Sequence, residues 1–219
     1  MINLYIYICI KIKMKLLSKL FNYVLLATKY YNIDESHGIT HSMEVLNYAH
    51  QIYSEEVNNY PEIVNYKKII YSSAILHDTC DKKYMDEKDG FTQIKRYFYD
   101  DFTPKEFCDL EKIITTMSYS KVKVNGFPRD LNNLTIPYHI VREADLLSAY
   151  DFNRCLIFEM CVRNYNIYHS FNSSTKLFNS RILNYRNDNL FITSTGKKLS
   201  EKLEKNSFQK LNNWNEMLK

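Results

Sequence analysis

The sequence predicts an all-α fold, a compact multi-helix arrangement in a single domain, on three observations. Glycine and proline number only four each, which leaves the chain short of the turn formers a strand-rich sandwich needs. Apolar residues recur every three or four positions through most segments, the period of a helix with one buried face. At 219 residues and 45% hydrophobic content, the chain can bury one sizeable core.

The first ten residues, MINLYIYICI, are apolar but too short to span a bilayer. Lys11, Lys13 and Lys15 follow this stretch, whereas a signal peptide places its basic residues before it. Residues 1–13 are therefore read as an N-terminal extension, with Met14 as an alternative start, ahead of one domain over residues 14–219. No stable membrane insertion is expected. From Met14, Leu16, Leu17, Leu20, Phe21 and Val24 keep helical spacing. Asn32, Asp34 and Ser36 in NIDESHGITHS are cap and turn formers, so the next helix is expected to begin near Gly38 or Ile39. That start puts His41 in the first turn and Val45, Leu46, Ala49 and Ile52 on the buried stripe; His37 lies four residues before His41, with Gly38 between them.

Residues 62–78 read as a helix that closes on the adjacent pair His77-Asp78. An apolar run ending in an imidazole and a carboxylate, with charged residues immediately after, places both groups where a buried helix meets solvent. Asp81, three residues on, is a candidate to accept a proton or to position a metal-bound water, and Lys82 and Lys83 are candidates to neutralise phosphate oxygens. Two further helices are expected over 91–99 and 104–119, the second opened by Thr103-Pro104. SYSKVKVNGFPRDLNNLTIP reads as an ordered loop over a pocket, with Ser118, Lys121, Lys123 and Arg129 as candidate oxyanion contacts.

A helix from about Tyr138 carries Asp145 among Ile140, Val141, Ala144 and Leu147. A carboxylate in such company must be paired, protonated or metal-bound. Arg142 is a candidate to pair with an acid or reach substrate, and Asp151 is an alternative buried acid. Residues 152–165 continue as an apolar helix, NYNIYHSFNSSTK reads as a polar connector, and final helices are expected over 175–186 and 197–217. His50 and His169 carry no metal assignment.

The five cysteines are scattered, with no CxxC pair, which fits unpaired thiols in a reducing, cytoplasmic setting. A formal charge of +4 without a long basic tract permits anionic small molecules as partners and does not favour nucleic acid. His41, His77, Asp78 and Asp145 together offer two imidazoles and two carboxylates to one divalent cation.

The order His41, His77-Asp78, Asp145, in the stretches DESHGITHS, AILHDTCDKKY and HIVREADLLSAYDFNR, resembles the HD metal-dependent phosphohydrolase superfamily, in particular its small all-helical bacterial and viral members. The resemblance extends over roughly residues 20–195. It implies metal ligation by His41, His77, Asp78 and Asp145 and a supporting catalytic role for Asp81 beside Asp78; His37 has no fixed counterpart in the pattern and is expected to touch substrate or extend the metal site. It further implies hydrolysis of a phosphomonoester or phosphodiester in a small molecule such as a nucleotide, for which Lys82, Lys83, Arg142 and Lys121 are the candidate substrate contacts on their charge alone. The imidazoles favour Mn²⁺ or another transition metal over Mg²⁺. A di-metal, oxygen-dependent oxidoreductase and an inactive nucleotide- or nucleic-acid-binding scaffold are the rival functions. The additional paired histidines associated with oxygen-activating HD proteins are missing, which favours hydrolysis.

Overall fold

The computed structural model describes the backbone of residues 2–219 and the side chains of residues 15–219; the reading of residues 1–13 as an extension lies outside the residues so described. Ten α-helices follow one another, and among the described residues there is no strand. They are α1 (Ile2–Tyr31), α2 (Ile39–Glu56), α3 (Lys67–Leu76), α4 (Glu87–Tyr97), α5 (Pro104–Thr116), α6 (Tyr119–Asn125), α7 (Thr135–Ser148), α8 (Phe152–Arg163), α9 (Ile167–Ser180) and α10 (Ser194–Met217). No helix among the described residues is long and apolar enough to cross a membrane.

The centre of the fold is the mutual packing of α2, α3 and α7. Val45, Ala49 and Ile52 meet Ile70, Ala74 and Ile75 and the Val141, Ala144 and Leu147 stripe, all fully buried. Burying a Val, Leu or Ile side chain contributes ~1.5–3 kcal/mol, so this core fixes the three helices that carry the metal-ligand candidates. α1 packs against α2 and α3, with Leu20 and Val24 buried, and α10 lies along α2 and α7.

Caps set several boundaries. Thr103 and Glu106 form a reciprocal capping box with Pro104 in the first turn of α5, as the sequence predicts. Asp86 caps α4 by accepting from the Lys88 and Asp89 amides, so this helix begins four residues before the expected 91 and takes in Gly90. A Cβ at Gly90 would fall 2.6 Å from Cys80 Cβ, which is why the helix can cross there. Asn32, Asn132, Asn164 and Asn189 all hold φ near +50°, the left-handed conformation glycine usually supplies. Asn32 and Asn164 thus end α1 and α8, and Asn132 and Asn189 serve turns, in a chain with little glycine.

Three expectations are corrected. The 62–78 helix divides into a 3-10 turn over Pro61–Tyr66 and the shorter α3, which stops at Leu76 and leaves His77 and Asp78 just beyond its end. The expected loop after Ser118 begins with α6, whose Val122 is buried against the core. The expected connector NYNIYHSFNSSTK forms most of α9, because Ser170, Ser174 and Phe178 are buried at helical spacing.

The C-terminal helix is tied down by two buried acids. Glu143 Oε1 accepts from the backbone amides of Ile192 (2.6 Å) and Thr193 (3.1 Å), and Glu56 Oε1 accepts from Ser194 Oγ, Thr195 N and Thr195 Oγ1 at 2.8 Å each. With Thr193 Oγ1 donating to Glu143 Oε2 as well, each carboxylate accepts at least three donors, which fixes the entry of α10 against α2 and α7.

Candidate metal centre

The end of α3 determines what His77 can do. The last four carbonyls of a helix have no amide to accept from within it, and one of these, Ala74 O, receives His77 Nδ1–H at 2.9 Å. That bond assigns the proton to Nδ1 and leaves a lone pair on Nε2. His41, in the first turn of α2, is held likewise: its Nδ1 faces Ser148 Oγ at 3.4 Å, and Ser148 Oγ in turn donates to Asp145 O at 2.7 Å.

The two Nε2 atoms meet, and that of His41 also receives the Arg154 guanidinium. His41 Nε2 and His77 Nε2 lie 3.0 Å apart; Asp78 Oδ2 is 3.1 and 3.2 Å from them, and Asp145 Oδ1 is 3.5 and 3.6 Å away. With metal–ligand distances of ~2.0–2.2 Å, adjacent ligands of a tetrahedral or octahedral ion stand ~3.0–3.5 Å apart, so these spacings match edges of a coordination shell. His41, His77 and Asp145 each offer one ligand atom within 4.8 Å of the others, a group that could hold a metal ion. Asp78 Oδ2 is buried and has no hydrogen-bond partner. A buried carboxylate oxygen in that position costs free energy unless a cation or proton meets it, so the residues present fit a divalent ion.

Electrostatics agree with the geometry. Burial opposes ionisation of Asp78 and Asp145, yet the imidazoles of His77 and His41 hold both carboxyls well below the usual range. Burial would depress His77, but the Asp78 and Asp145 carboxylates raise it instead; at His41, burial and the Arg154 guanidinium prevail and lower it. The centre is a half-buried pair of carboxylates that demands positive charge beside it.

A pocket of about 210 Å³ opens over the cluster. Asp78, Asp145, Asp81 and Glu87 line it together with Lys82, Lys83, Lys121, Arg154 and Arg181. Asp81 accepts the Lys83 amide at 2.8 Å and faces the Lys83 ammonium at 3.8 Å, so it both forms the turn and borders the pocket. Lys82 and Lys83 are exposed at its rim. Lys121 lines it too, but its ammonium is bound to Glu87 and to Thr115 O, which reduces its availability to a substrate.

His37 also lines the pocket, on a 3-10 turn of its own before Gly38 instead of on the face of α2. Its Nδ1 lies 3.2 Å from Asp34 Oδ2, 2.8 Å from Ser36 Oγ and 3.1 Å from Tyr84 OH, and its Nε2 lies 3.4 Å from Lys83 Nζ. Asp34, which its histidine holds below the usual carboxylate range against the effect of burial, is the orienting partner.

Arg142 does not border the pocket. It is 2% exposed, donates to the Leu190 carbonyl, contacts His139 Nδ1 at 3.2 Å and lies over the Phe127 ring at 4.7 Å. The expectation that it reaches substrate is therefore corrected: Arg142 sits on the core face of α7, while Asp145, three residues on, borders the pocket. Asp151 is likewise no buried acid; it caps α8 and pairs with Lys210 at 2.8 Å. Lys123 and Arg129 are exposed outside the pocket, and Ser118 borders it.

The cation that sequence reasoning missed is Arg154. Its Nε donates to Ser36 O (2.6 Å), one terminal nitrogen to Ser148 Oγ (3.0 Å) and the other to His41 Nε2 (3.0 Å), with Asp78 Oδ2 4.0 Å away. The available signal was its place near the start of the helix after Asp145. Arg181, missed as well, comes from the end of α9, stacks on Tyr119 at 4.0 Å and donates to Tyr185 OH, and nothing local announces it.

Comparison of the chain with protein-family models, with curated proteins and with solved structures finds no match.

Proposed function

We propose that this chain is a divalent-metal-dependent phosphohydrolase of the HD type, acting on a phosphoester of a small molecule such as a nucleotide. One observation carries the reading: His41, His77, Asp78 and Asp145, from three separate parts of the chain, converge with coordination-like spacings under a pocket lined by both acids and cations. Asp78 is taken as the fourth ligand beside His41, His77 and Asp145. A divalent ion held by these four residues would supply a water of lowered pKa and draw charge from a phosphoryl oxygen. Two imidazoles among the ligands favour Mn²⁺ or another transition metal over Mg²⁺.

The chain's own groups supply the rest. Lys82, Lys83, Arg154 and Arg181 offer positive charge and N–H donors to the phosphate oxygens, offsetting the repulsion from Asp78, Asp81, Glu87 and Asp145. Asp81 accepts a proton from the attacking water at the carboxylate oxygen not engaged by the Lys83 amide. His37, oriented through Nδ1 by Asp34, gives a proton from Nε2 to the departing oxygen when its ring is protonated.

The test is a metal-supplemented screen of phosphomonoesters, phosphodiesters and nucleotides, with metal content measured in parallel. The wild-type protein is expected to retain a transition metal and hydrolyse at least one member; Asp78→Ala is expected to lose both. Undiminished hydrolysis by Asp78→Ala would refute the assignment.

A further inference from the structure

A second cavity of about 140 Å³ adjoins the pocket, and the two share His37, Lys83, Ala149, Arg154, Arg181 and Tyr185. The remaining lining differs in character. Cys155, Phe158, Leu177 and Ile182 are apolar, and Ser36 is the one hydroxyl among them. Ile182 and Cys155 belong to the core, while Phe158 and Leu177 are only partly buried and turn apolar surface into the space. The Phe158 ring meets His37 edge-to-face with centroids 5.8 Å apart, so the wall between the lobes is itself partly aromatic. The cations Lys83, Arg154 and Arg181 thus stand at a waist between a charged lobe and an apolar one.

We propose that the apolar lobe receives the leaving group of the substrate, and that this group carries one flat apolar ring. The inference rests on the phosphohydrolase reading for the phosphate end and adds the chemistry of the other end. A phosphate held by the waist cations can face the metal ligands with one side and direct its ester oxygen toward Phe158 and Leu177. Size limits the ring: a cavity of roughly 150 Å³ takes up benzene in another protein, and this lobe is similar in volume, with Cys155, Phe158, Leu177 and Ile182 as its apolar wall. The cations that line the lobe, Lys83, Arg154 and Arg181, are the same three that line the charged pocket, so a phosphate held by them leaves the apolar wall to the ester group. Inorganic polyphosphate and sugar phosphates without a ring of this kind are disfavoured.

The experiment measures binding of non-hydrolysable phosphonates to the Mn²⁺-loaded protein by calorimetry, so that its outcome is independent of turnover. Phenylphosphonate is expected to bind about tenfold or more tightly than methylphosphonate, the return on burying one ring. Leu177→Trp, which fills the lobe from a partly exposed position, is expected to erase that preference and leave methylphosphonate affinity unchanged; Phe158→Ala should reduce the preference without filling the lobe. Equal affinities of wild type for the two phosphonates, or equal weakening of both by Leu177→Trp in a folded protein, would overturn the proposal. If the wild type hydrolyses no phosphoester yet keeps the phenyl preference, the phosphohydrolase reading falls and the apolar lobe stands.

Discussion

Replacing Ser148 by alanine tests the metal centre without touching a ligand. The Ser148 hydroxyl is fully buried, faces His41 Nδ1 at 3.4 Å, accepts from Arg154 at 3.0 Å and donates to Asp145 O at 2.7 Å. Its removal frees the His41 ring to rotate and to change tautomer, so that Nε2 no longer presents a fixed lone pair. Loss of a group that orients a metal ligand costs ~10–100-fold in affinity, and the long 3.4 Å contact argues for the lower end, about tenfold. In free energy that is ~1.4 kcal/mol. The serine-to-alanine change deletes a single oxygen, so the folding penalty is held to about 1 kcal/mol, the usual net value of one buried hydrogen bond. The assay is Mn²⁺ titration by calorimetry, with urea unfolding of the metal-free protein as control. An Mn²⁺ affinity within twofold of wild type in a normally stable variant would show that His41 is not held as described, and would refute the argument from tautomer to ligand.

Other outcomes follow from the buried charges. Arg142→Met should destabilise the fold by about 3 kcal/mol, as expected when one member of a buried ion pair is removed, while metal content per folded molecule stays unchanged; weakened phosphate binding with normal stability would return Arg142 to the substrate set. At Gly196 an added Cβ would stand 2.0 Å from Glu143 Oε2, so Gly196→Ala should cost about 1–3 kcal/mol by thermal unfolding, and a neutral result would argue against the Glu143 latch. Burial, reinforced by the Arg142 charge, lowers His139 to about 3. In the unfolded chain this histidine titrates near ~6.5, so below that pH the unfolded state binds the extra proton and stability declines as pH falls from about 6.5 toward 3, by up to ~1.4 kcal/mol per pH unit from this group. His139→Gln should flatten urea-unfolding stability over that range; an unchanged slope would exclude His139 as a source. Lys83→Ala should weaken methylphosphonate binding and leave Mn²⁺ content intact, and equal affinity in both proteins would remove Lys83 from the site.

The all-α class was legible because periodicity is a property of each segment by itself, as in the stripe of α2 from Val45 to Ile52. Of the grouped candidates, His77 and Asp145 were legible for a different reason: each is a titratable side chain at the end of or within an apolar run, where an unpartnered charge would be costly, while His41, between Thr40 and Ser42, stood out only through the order it completes. Arg142 was misassigned because sequence does not say which side of a buried helix opens on a pocket. Arg142 and Asp145 lie one turn apart on neighbouring sides of α7, and the pocket reaches only Asp145. Polar residues hid α9, since Ser170 and Ser174 look solvent-facing until α8 packs over them. Arg154 and Arg181 were hidden because their value comes from neighbours more than 20 residues away, Ser36 and His41 in one case and Tyr119 in the other. Low glycine content predicted few sharp reversals, but asparagine had taken over part of that work at Asn32, Asn132, Asn164 and Asn189.

The bond from His77 to the Ala74 carbonyl bears on any attempt to move this centre into another scaffold. Grafting the His-Asp pair into the middle of a continuous helix would reproduce the residues and lose the site. In an uninterrupted helix the carbonyl at Ala74 would be claimed by the amide four residues on, and the imidazole would be left without the acceptor that selects its tautomer. What has to be transplanted is the ending of α3 as much as the two residues that follow it. The same logic makes this boundary intolerant of helix-favouring substitutions at Thr79 and Cys80, which could strengthen local structure and still impair the chemistry.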